Sequence, residues 1–453
     1  MGAGRIQLSA IGPQDLHLTA NPQITFFKTV FKRHTNFSKE VRRLYFRGEQ
    51  KPDFGLEDVR LDVKNEGDLL GNIFLEIKIN GTTTQIARTV SNFTNSLFDK
   101  VECLVGGYKI DTHYGRFYQI LDELEGRVEN DIQNASDSSY GGKYVSIDRT
   151  ADDSQTLENV NNYARQTGNY SLSFRGNQTG AANISSAGTY TKIFYYPLKF
   201  WFNKDPGLYF PMVSLFRHNM EIMFNFTSKN KLLGNSDTSG LDMTIEMKAF
   251  GEFYYLDSSE KTRFAQSNHE YLIEQAQINQ NLFVIPSTTE SSFETTKINI
   301  PLNFSHPVKY MTWVVVNEGV SGQNAGQGPC YFVSLTRNSL YGNDGDKGTV
   351  ELTLEGVTRE IEMPMIYYTR VNPNTYCKST PDLDRIGFYS FALNPLNNEP
   401  SGTCNFSKLN NKEIKLVLAN NSISNISNKN LYIYAVNYNV LTFTNGMAAV
   451  RYT

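Results

Sequence analysis

Apolar residues recur at every second position through most of this chain. In Ile73-Phe-Leu-Glu-Ile-Lys-Ile79, residues 73, 75, 77 and 79 fall on one face. Val101, Cys103 and Val105 alternate with Lys100, Glu102 and Leu104, and Gly106-Gly107 then leads into Tyr108-Lys-Ile110, the pattern of a hairpin. The same period of two runs through Met220, Ile222, Phe224 and Phe226, and through Ile298, Ile300, Leu302 and Phe304. It returns at Val350, Leu352 and Leu354 and at Ile414, Leu416 and Leu418. Leu431 to Phe443 is a longer strand-like run. Helical spacing is rare. Phe117, Ile120, Leu121 and Leu124 predict one short amphipathic helix, and Asp257 to Gln266 a second, opened by a capping-box-like Asp257-Ser-Ser-Glu260.

Many short strands separated by Gly, Pro and Asn predict β-sandwiches. Two stretches read as long loops. Gly126 to Thr191 is rich in Asn, Ser, Gly and Asp, and Asn317 to Gly348 in Gly and Asn. An internal similarity links Phe200-Trp-Phe-Asn-Lys-Asp-Pro-Gly207, followed by Leu215-Phe-Arg-His-Asn-Met-Glu-Ile222, with Phe391-Ala-Leu-Asn-Pro-Leu-Asn-Asn-Glu-Pro-Ser-Gly402, followed by Lys408-Leu-Asn-Asn-Lys-Glu-Ile414. The spacing, about 190 residues, is far beyond a solenoid period and points to two copies of one sandwich topology. Asp205-Pro206-Gly207 has the residue order of a type II turn.

Composition narrows the class. The 453 residues suggest two or three domains. With 40% hydrophobic and 20% charged residues the chain is globular, and 29 Phe and 26 Tyr favour strands over helices. The net charge of −3 lacks the basic excess that coating DNA requires, so no direct nucleic-acid binding is expected. No apolar run is long enough to cross a bilayer, and the first residues carry no apolar signal core. Ile6 stands where a myristoylation motif prefers Ser or Thr. Cys103, Cys330, Cys377 and Cys404 are widely spaced and read as reduced thiols.

Several segments together resemble a known family. Gly12-Pro-Gln-Asp-Leu-His-Leu-Thr-Ala-Asn-Pro-Gln-Ile-Thr-Phe-Phe-Lys-Thr-Val-Phe31 with Thr35-Asn-Phe37, Asn203-Lys-Asp-Pro-Gly-Leu208 leading to Pro211, and Thr262-Arg-Phe-Ala-Gln266 with His269-Glu-Tyr-Leu-Ile-Glu-Gln275 are three of them. Tyr389-Ser-Phe-Ala-Leu393 with Pro400-Ser-Gly-Thr-Cys-Asn-Phe-Ser407, and Tyr434-Ala-Val-Asn-Tyr-Asn-Val-Leu441, complete the set. In that order they resemble major capsid proteins of nucleocytoplasmic large DNA viruses, nearest to the algal-virus, chlorovirus-like forms. The resemblance implies an all-β double jelly roll: two consecutive eight-stranded sandwiches, with long loop insertions and few short helices. It implies an arm over 1–25, a first jelly roll over 26–256 with an insertion at 126–191, a connector over 257–270 and a second jelly roll over 271–453. It also implies homotrimers with a pseudo-hexagonal outline that tile an icosahedral shell beside neighbouring capsomers. On the inner face it implies minor capsid proteins and an internal membrane, with assembly in the host cytoplasm.

Candidate chemistry is sparse. His17, His34, His113, His218, His269 and His306 are scattered, no nucleotide or hydrolase fingerprint occurs, and no catalytic, metal or cofactor set is expected. The carboxylate pairs Asp122-Glu123 and Asp152-Asp153 sit on a predicted helix and loop. From Lys28 to Arg47 the chain carries Lys28, Lys32, Arg33, Lys39, Arg42, Arg43 and Arg47 against Glu40 alone; Lys28, Lys32, Arg33, Arg42 and Arg43 are candidate inner-face contacts for minor capsid proteins or anionic headgroups. Twelve Asn-x-Ser/Thr matches occur; Asn134, Asn169, Asn177 and Asn183, clustered in the long insertion, are candidate glycan acceptors. The rival reading is a carbohydrate- or receptor-binding β-sandwich using loop aromatics Tyr140, Tyr144, Tyr163 and Tyr170.

Overall fold

A computed structural model of the chain describes residues 3–48, 52–83, 87–89, 93–125, 182–184, 188–232, 241–284, 295–317, 329–330, 332–333, 335, 348–381, 384–419 and 428–452. By compactness it divides into two units, Met1–Phe37 and Ser38–Thr453. The first holds two seven-residue helices, Ala3–Ser9 and Pro13–Thr19, neither of which buries a residue. The sequence has no apolar period here, and the second helix rests on local signals. Pro13 opens it, and the Gly12 N–H donates to Asp15 Oδ2 at 2.9 Å. The second unit holds the sheets.

Its strands are β1 (Phe37–Phe46), β2 (Val59–Val63), β3 (Leu69–Thr83), β4 (Ala87–Thr89), β5 (Phe98–Val105), β6 (Tyr108–Tyr114), β7 (Ala182–Ile184), β8 (Gly188–Pro197), β9 (Met220–Phe226) and β10 (Leu241–Leu256). There follow β11 (His269–Val284), β12 (Thr295–Pro301), β13 (Pro307–Asn317), β14 (Phe332–Val333), β15 (Thr349–Leu354), β16 (Val357–Pro364), β17 (Gly387–Ser390), β18 (Cys404–Asn405), β19 (Lys412–Ala419), β20 (Asn428–Thr444) and β21 (Met447–Val450). The alternating rows become buried faces. Ile73, Leu75, Ile77 and Ile79 are each at most 1% exposed, which at about 1.5–3 kcal/mol per side chain makes β3 a principal source of stability.

In the first lobe the hydrogen-bonded order is β6-β5-β9-β2-β1-β10-β3-β8. This long sheet folds over itself. Phe98 of β5 and Tyr196 of β8 are far apart in that order, yet their rings pack at 5.0 Å. The two layers are thus β1-β10-β3-β8 and β2-β9-β5-β6, sharing one core that includes Leu61, Leu75, Val101, Phe224 and Ala249. The second lobe has one sheet of order β11-β20-β13, with β14, β17 and β18 also on β13 and β21 on β20, and one of order β12-β19-β15-β16. Leaving out the short β4, β7, β14, β18 and β21, each lobe has eight strands, of which the first, eighth, third and sixth pair in one layer and the second, seventh, fourth and fifth in the other. The two lobes are therefore copies of one jelly-roll topology. The internal similarity falls at the same point in each, between the sixth and seventh of these strands: β8 to β9, and β17 to β19.

Local expectations fared unevenly. Gly106 (φ +58°) and Gly107 (φ +82°) close the β5–β6 hairpin with two left-handed residues, the turn that a two-residue loop needs. The predicted helix runs Gly115–Leu124 and the other Ser258–Gln266. Asp257 is the N-cap of the latter but its carboxylate accepts from Ser259 Oγ (3.1 Å) and caps no backbone N–H, so no capping box forms. The type II turn is absent too. Asp205 Oδ1 accepts from the Gly207 N–H at 2.8 Å and starts a 3-10 turn, Pro206–Leu208, that needs no positive φ. The long loop read to Thr191 ends earlier, because β8 begins at Gly188 and pairs along β3.

Candidate functional site

The chemistry-bearing side chains collect where the lobes meet. The helix Gly115–Leu124 leaves β6 of the first lobe and lays Phe117, Ile120, Leu121 and Leu124 on the outer face of β13 and β20, against Tyr310, Val314, Tyr434 and Val436. The other face of those strands, Met311, Trp313, Val315, Leu431 and Ile433, packs in the core of the second lobe. Two-sided burial explains why Leu431–Val436 is apolar and aromatic at every position rather than at alternate ones. Arg116 lies 4.1 Å from the centre of the Tyr432 ring.

Beside this apolar contact lies an ionic cluster. Glu274, on β11, pairs with Lys204 at 2.8 Å and with Lys309, whose side chain is 0% exposed. Lys309 Nζ also donates to the Asn397 carbonyl at 2.8 Å and sits 5.1 Å from the centre of the Tyr438 ring. Burial alone would raise the Glu274 pKa, but Lys204 and Lys309 outweigh it and hold the carboxyl below its ordinary value. Burial lowers Lys309, partly offset by Glu274. Within the first lobe Lys199 pairs with Asp122 and, at 3.4 Å, with Glu125. Burial nevertheless leaves Asp122 raised.

Backbone groups are tied across as well. Gln275 Nε2 donates to the Ile110 carbonyl at 2.5 Å, and the Ala276 N–H to Asp111 Oδ1 at 3.0 Å. Asp111 Oδ2 lies 2.9 Å from His113 Nε2, both buried. A cleft of about 890 Å³ opens over the cluster. Its walls include Trp201, Asn203 and Lys204 on one side and Leu396, Asn397 and Pro400 on the other, so the two repeated segments face each other across it.

The expected contact residues lie elsewhere. Lys28, Lys32 and Arg33 belong to the first unit, outside its helices, and are exposed. Arg42 and Arg43 lie on β1. Arg42 pairs with Glu40 (3.1 Å) and Glu66 (3.8 Å), and the Arg43 guanidinium is 5.4 Å from the Tyr45 ring centre. Asn134, Asn169 and Asn177 fall outside the described residues, as do Asp152-Asp153 and the four loop tyrosines. Asn183 lies in β7, opposite Arg88 of β4. Asp122 serves the Lys199 pair, and Glu123 accepts from Gln119 Nε2 at 2.8 Å. Among the described residues no group of three or more His, Cys, Asp or Glu side chains is placed to hold a metal ion. Sequence reasoning missed Lys199, Lys204, Glu274 and Lys309. The one available signal was charge inside otherwise apolar strands, as at Val308-Lys309-Tyr310.

Comparison with known proteins bears on this arrangement. Residues 25–257 match a family model described as the major capsid protein N-terminus, and residues 260–449 one described as the large eukaryotic DNA virus major capsid protein. The major capsid proteins of Pyramimonas orientalis virus and Paramecium bursaria Chlorella virus 1 are each 31% identical over the full length of both chains. The crystal structure of PBCV-1 VP54 superposes with a TM-score of 0.70 and 27% identity, covering 95% of this chain and all of that one. The Faustovirus major capsid protein, 11% identical, shares the fold at a TM-score of 0.65, covering 96% of this chain and 94% of that one.

Proposed function

Because the chain belongs to the family of large eukaryotic DNA virus major capsid proteins, we propose that it builds the virion shell as a homotrimer with a pseudo-hexagonal outline. Its role is structural. The single observation that supports the trimer is the like topology of the two lobes, joined by a seam that fixes their relation. Three copies of a rigid two-lobed chain present six similar lobes, and a threefold particle then packs in hexagonal array. Each capsomer would meet its neighbours through many weak lateral contacts repeated over the shell.

Finer assignments go with this reading. We take 1–25 as an arm, 26–256 and 271–453 as the two jelly rolls and 257–270 as the connector. Lys28, Lys32, Arg33, Arg42 and Arg43 are assigned to the inner face, toward minor capsid proteins and the anionic headgroups of an internal membrane, and the shell assembles in the host cytoplasm. Asn134, Asn169, Asn177 and Asn183 are assigned as glycan acceptors. Peptide mapping of purified particles by mass spectrometry tests these four, and unmodified peptides at all of them remove the assignment.

The trimer is tested by size-exclusion chromatography with light scattering on the purified chain. A particle of three times 51.3 kDa is expected. A stable monomer at micromolar concentration sinks the proposal.

A further inference from the structure

The seam inside one chain shows how two lobes of this topology dock, and the parts it uses occur twice. One part is the helical segment that follows the fifth strand of a lobe. The other is the outer face of the sheet holding a lobe's first, last and third strands. Within the chain, the segment of the first lobe covers the face of the second. Among the described residues, no other lobe covers the segment of the second lobe or the face of the first, and these two are left over.

The leftover segment occupies the same place in its lobe as the used one. It follows β16 as the π-helical turn Tyr367–Val371 and the helix Asn372–Tyr376. Counting from the last residue of the preceding strand, the fourth residue is Tyr118 in one lobe and Tyr368 in the other. Each is 1% exposed and anchored in its own lobe's core. The seventh residue is Leu121 in one and Val371 in the other. Leu121 is 2% exposed because the neighbouring lobe covers it, whereas Val371 is 48% exposed. Ile366, on the same segment, is 46% exposed.

The leftover face has a matching character. On the outer side of β3 and β10, Phe74 and Phe250 stack with ring centres 5.4 Å apart, and Tyr195 of β8 meets Phe74 edge-on at 6.5 Å. All three rings are half-buried. Ion pairs flank them, Lys248–Glu76 at 2.6 Å and Lys78–Glu246 at 3.3 Å. An aromatic centre with a charged rim is the anatomy of an interface between separable chains.

We infer that the Tyr367–Tyr376 segment of one copy docks on the Phe74–Phe250 face of the next, so that the contact between copies repeats the seam within a copy. This rests on the homotrimer reading and names its contact surfaces. The contact is head-to-tail, with different patches on its two sides, so it closes only as a ring. Three such contacts alternate with three internal seams around six lobes.

The test starts from the wild-type mass and two variants. Val371→Glu places a charge at a half-exposed position, so circular dichroism and the urea midpoint should match wild type. The trimer dissociation constant should rise by about 100-fold at each contact. In a Cys377→Ser, Cys404→Ser background, the pair Val371→Cys and Phe250→Cys treated with a short bis-maleimide should give a covalent trimer, and either single variant none. A wild-type monomer overturns the trimer reading and this inference with it. A wild-type trimer that survives Val371→Glu and gives no cross-link with the cysteine pair overturns this inference alone.

Discussion

Replacing Glu274 by Ala should uncouple the lobes. The carboxylate is held between Lys204 and Lys309, and Lys309 has no exposed side-chain surface. Its removal leaves Lys309 against the Asn397 carbonyl and the Tyr438 ring, neither of which carries a charge to balance it. Breaking a buried pair from one side costs about 3–5 kcal/mol. Lys309→Met should cost less, about 1–3 kcal/mol, because the methylene stem is kept and Glu274 still has Lys204. The double variant should lose well under the sum of the two single losses, since neither Glu274 nor Lys309 is then left as a buried charge without the other. The two tryptophans report on this separately: Trp201 lines the cleft in the first lobe, and Trp313 lies in the core of the second. Urea unfolding of Trp201→Phe and Trp313→Phe chains should give one coincident transition in the parent. In Glu274→Ala the two should separate. A cost below about 1 kcal/mol with coincident transitions would show that Glu274 carries none of the coupling assigned to it.

Other perturbations read other parts of the fold. Gly387→Ala would drive a Cβ into the Trp313 indole in the second core, so a loss of about 1–3 kcal/mol or more is expected, partly relieved by Trp313→Phe; thermal unfolding decides it. Gly106→Ala and Gly107→Ala both strain a left-handed backbone, but only the first meets a neighbour, His218 Nδ1 at 2.6 Å, so its melting temperature should fall further than the roughly 1 kcal/mol expected for Gly107→Ala. Glu274 and Glu125 are both held below their ordinary 4.5, so the unfolded chain binds those protons more tightly. Their stability is complete above about 4.5 and is lost as pH falls through the lowered folded values. Asp122, raised by burial, has the opposite sign and returns some stability over its own range. A urea-midpoint titration from pH 7 to pH 3 should therefore fall, and fall less steeply in Glu274→Gln; equal slopes in the two chains would contradict the assignment.

How much of this was legible in the sequence follows from which faces are buried. Where one face of a strand meets a core, the period of two is plain, and Ile73–Ile79, Met220–Phe226 and Ile414–Leu418 were readable as strands with their inward residues named. The spacing of Phe117, Ile120, Leu121 and Leu124 gave a helix and its apolar side, but nothing in it says what that side covers. The partner surface was hidden because β13 and β20 are buried on both faces, which erases alternation and leaves only an apolar run. Side-chain competition with the backbone undid two local expectations: Asp205 captured the Gly207 N–H, and Asp257 was captured by Ser259. The helical segment after β16 carries Pro373 and gave no helical signal. The structure places that proline where a π-helical turn passes into an α-helix, a junction that tolerates a missing N–H. The repeated segments were visible as a similarity, but that they face each other across one cleft is a property of the docked lobes.

The divergence between the lobes has a physical reading of its own. If both contacts around the ring were equally apolar, a free chain would expose a greasy segment and a greasy face, and would associate before its lobes had docked. The positions that are Phe117, Ile120, Leu121 and Leu124 inside the chain are Tyr367, Arg370, Val371 and Asn374 on the leftover segment. Arg370 is held by Asp384 and by the Pro381 carbonyl at 2.7 Å. The internal contact can be fully apolar because its halves are always tethered, at an effective concentration that no free partner matches. The external contact must be weak in the free chain and strong in the ring, and a segment whose exposed Ile366 and Val371 are interspersed with Arg370, Asn372 and Asn374 fits that demand. Converting Arg370 and Asn374 to Ile and Leu should accordingly increase association and lower the soluble yield of trimer, measured as the trimer-to-aggregate ratio by size-exclusion chromatography. An unchanged ratio would mean that polarity at these two positions has no part in controlling assembly.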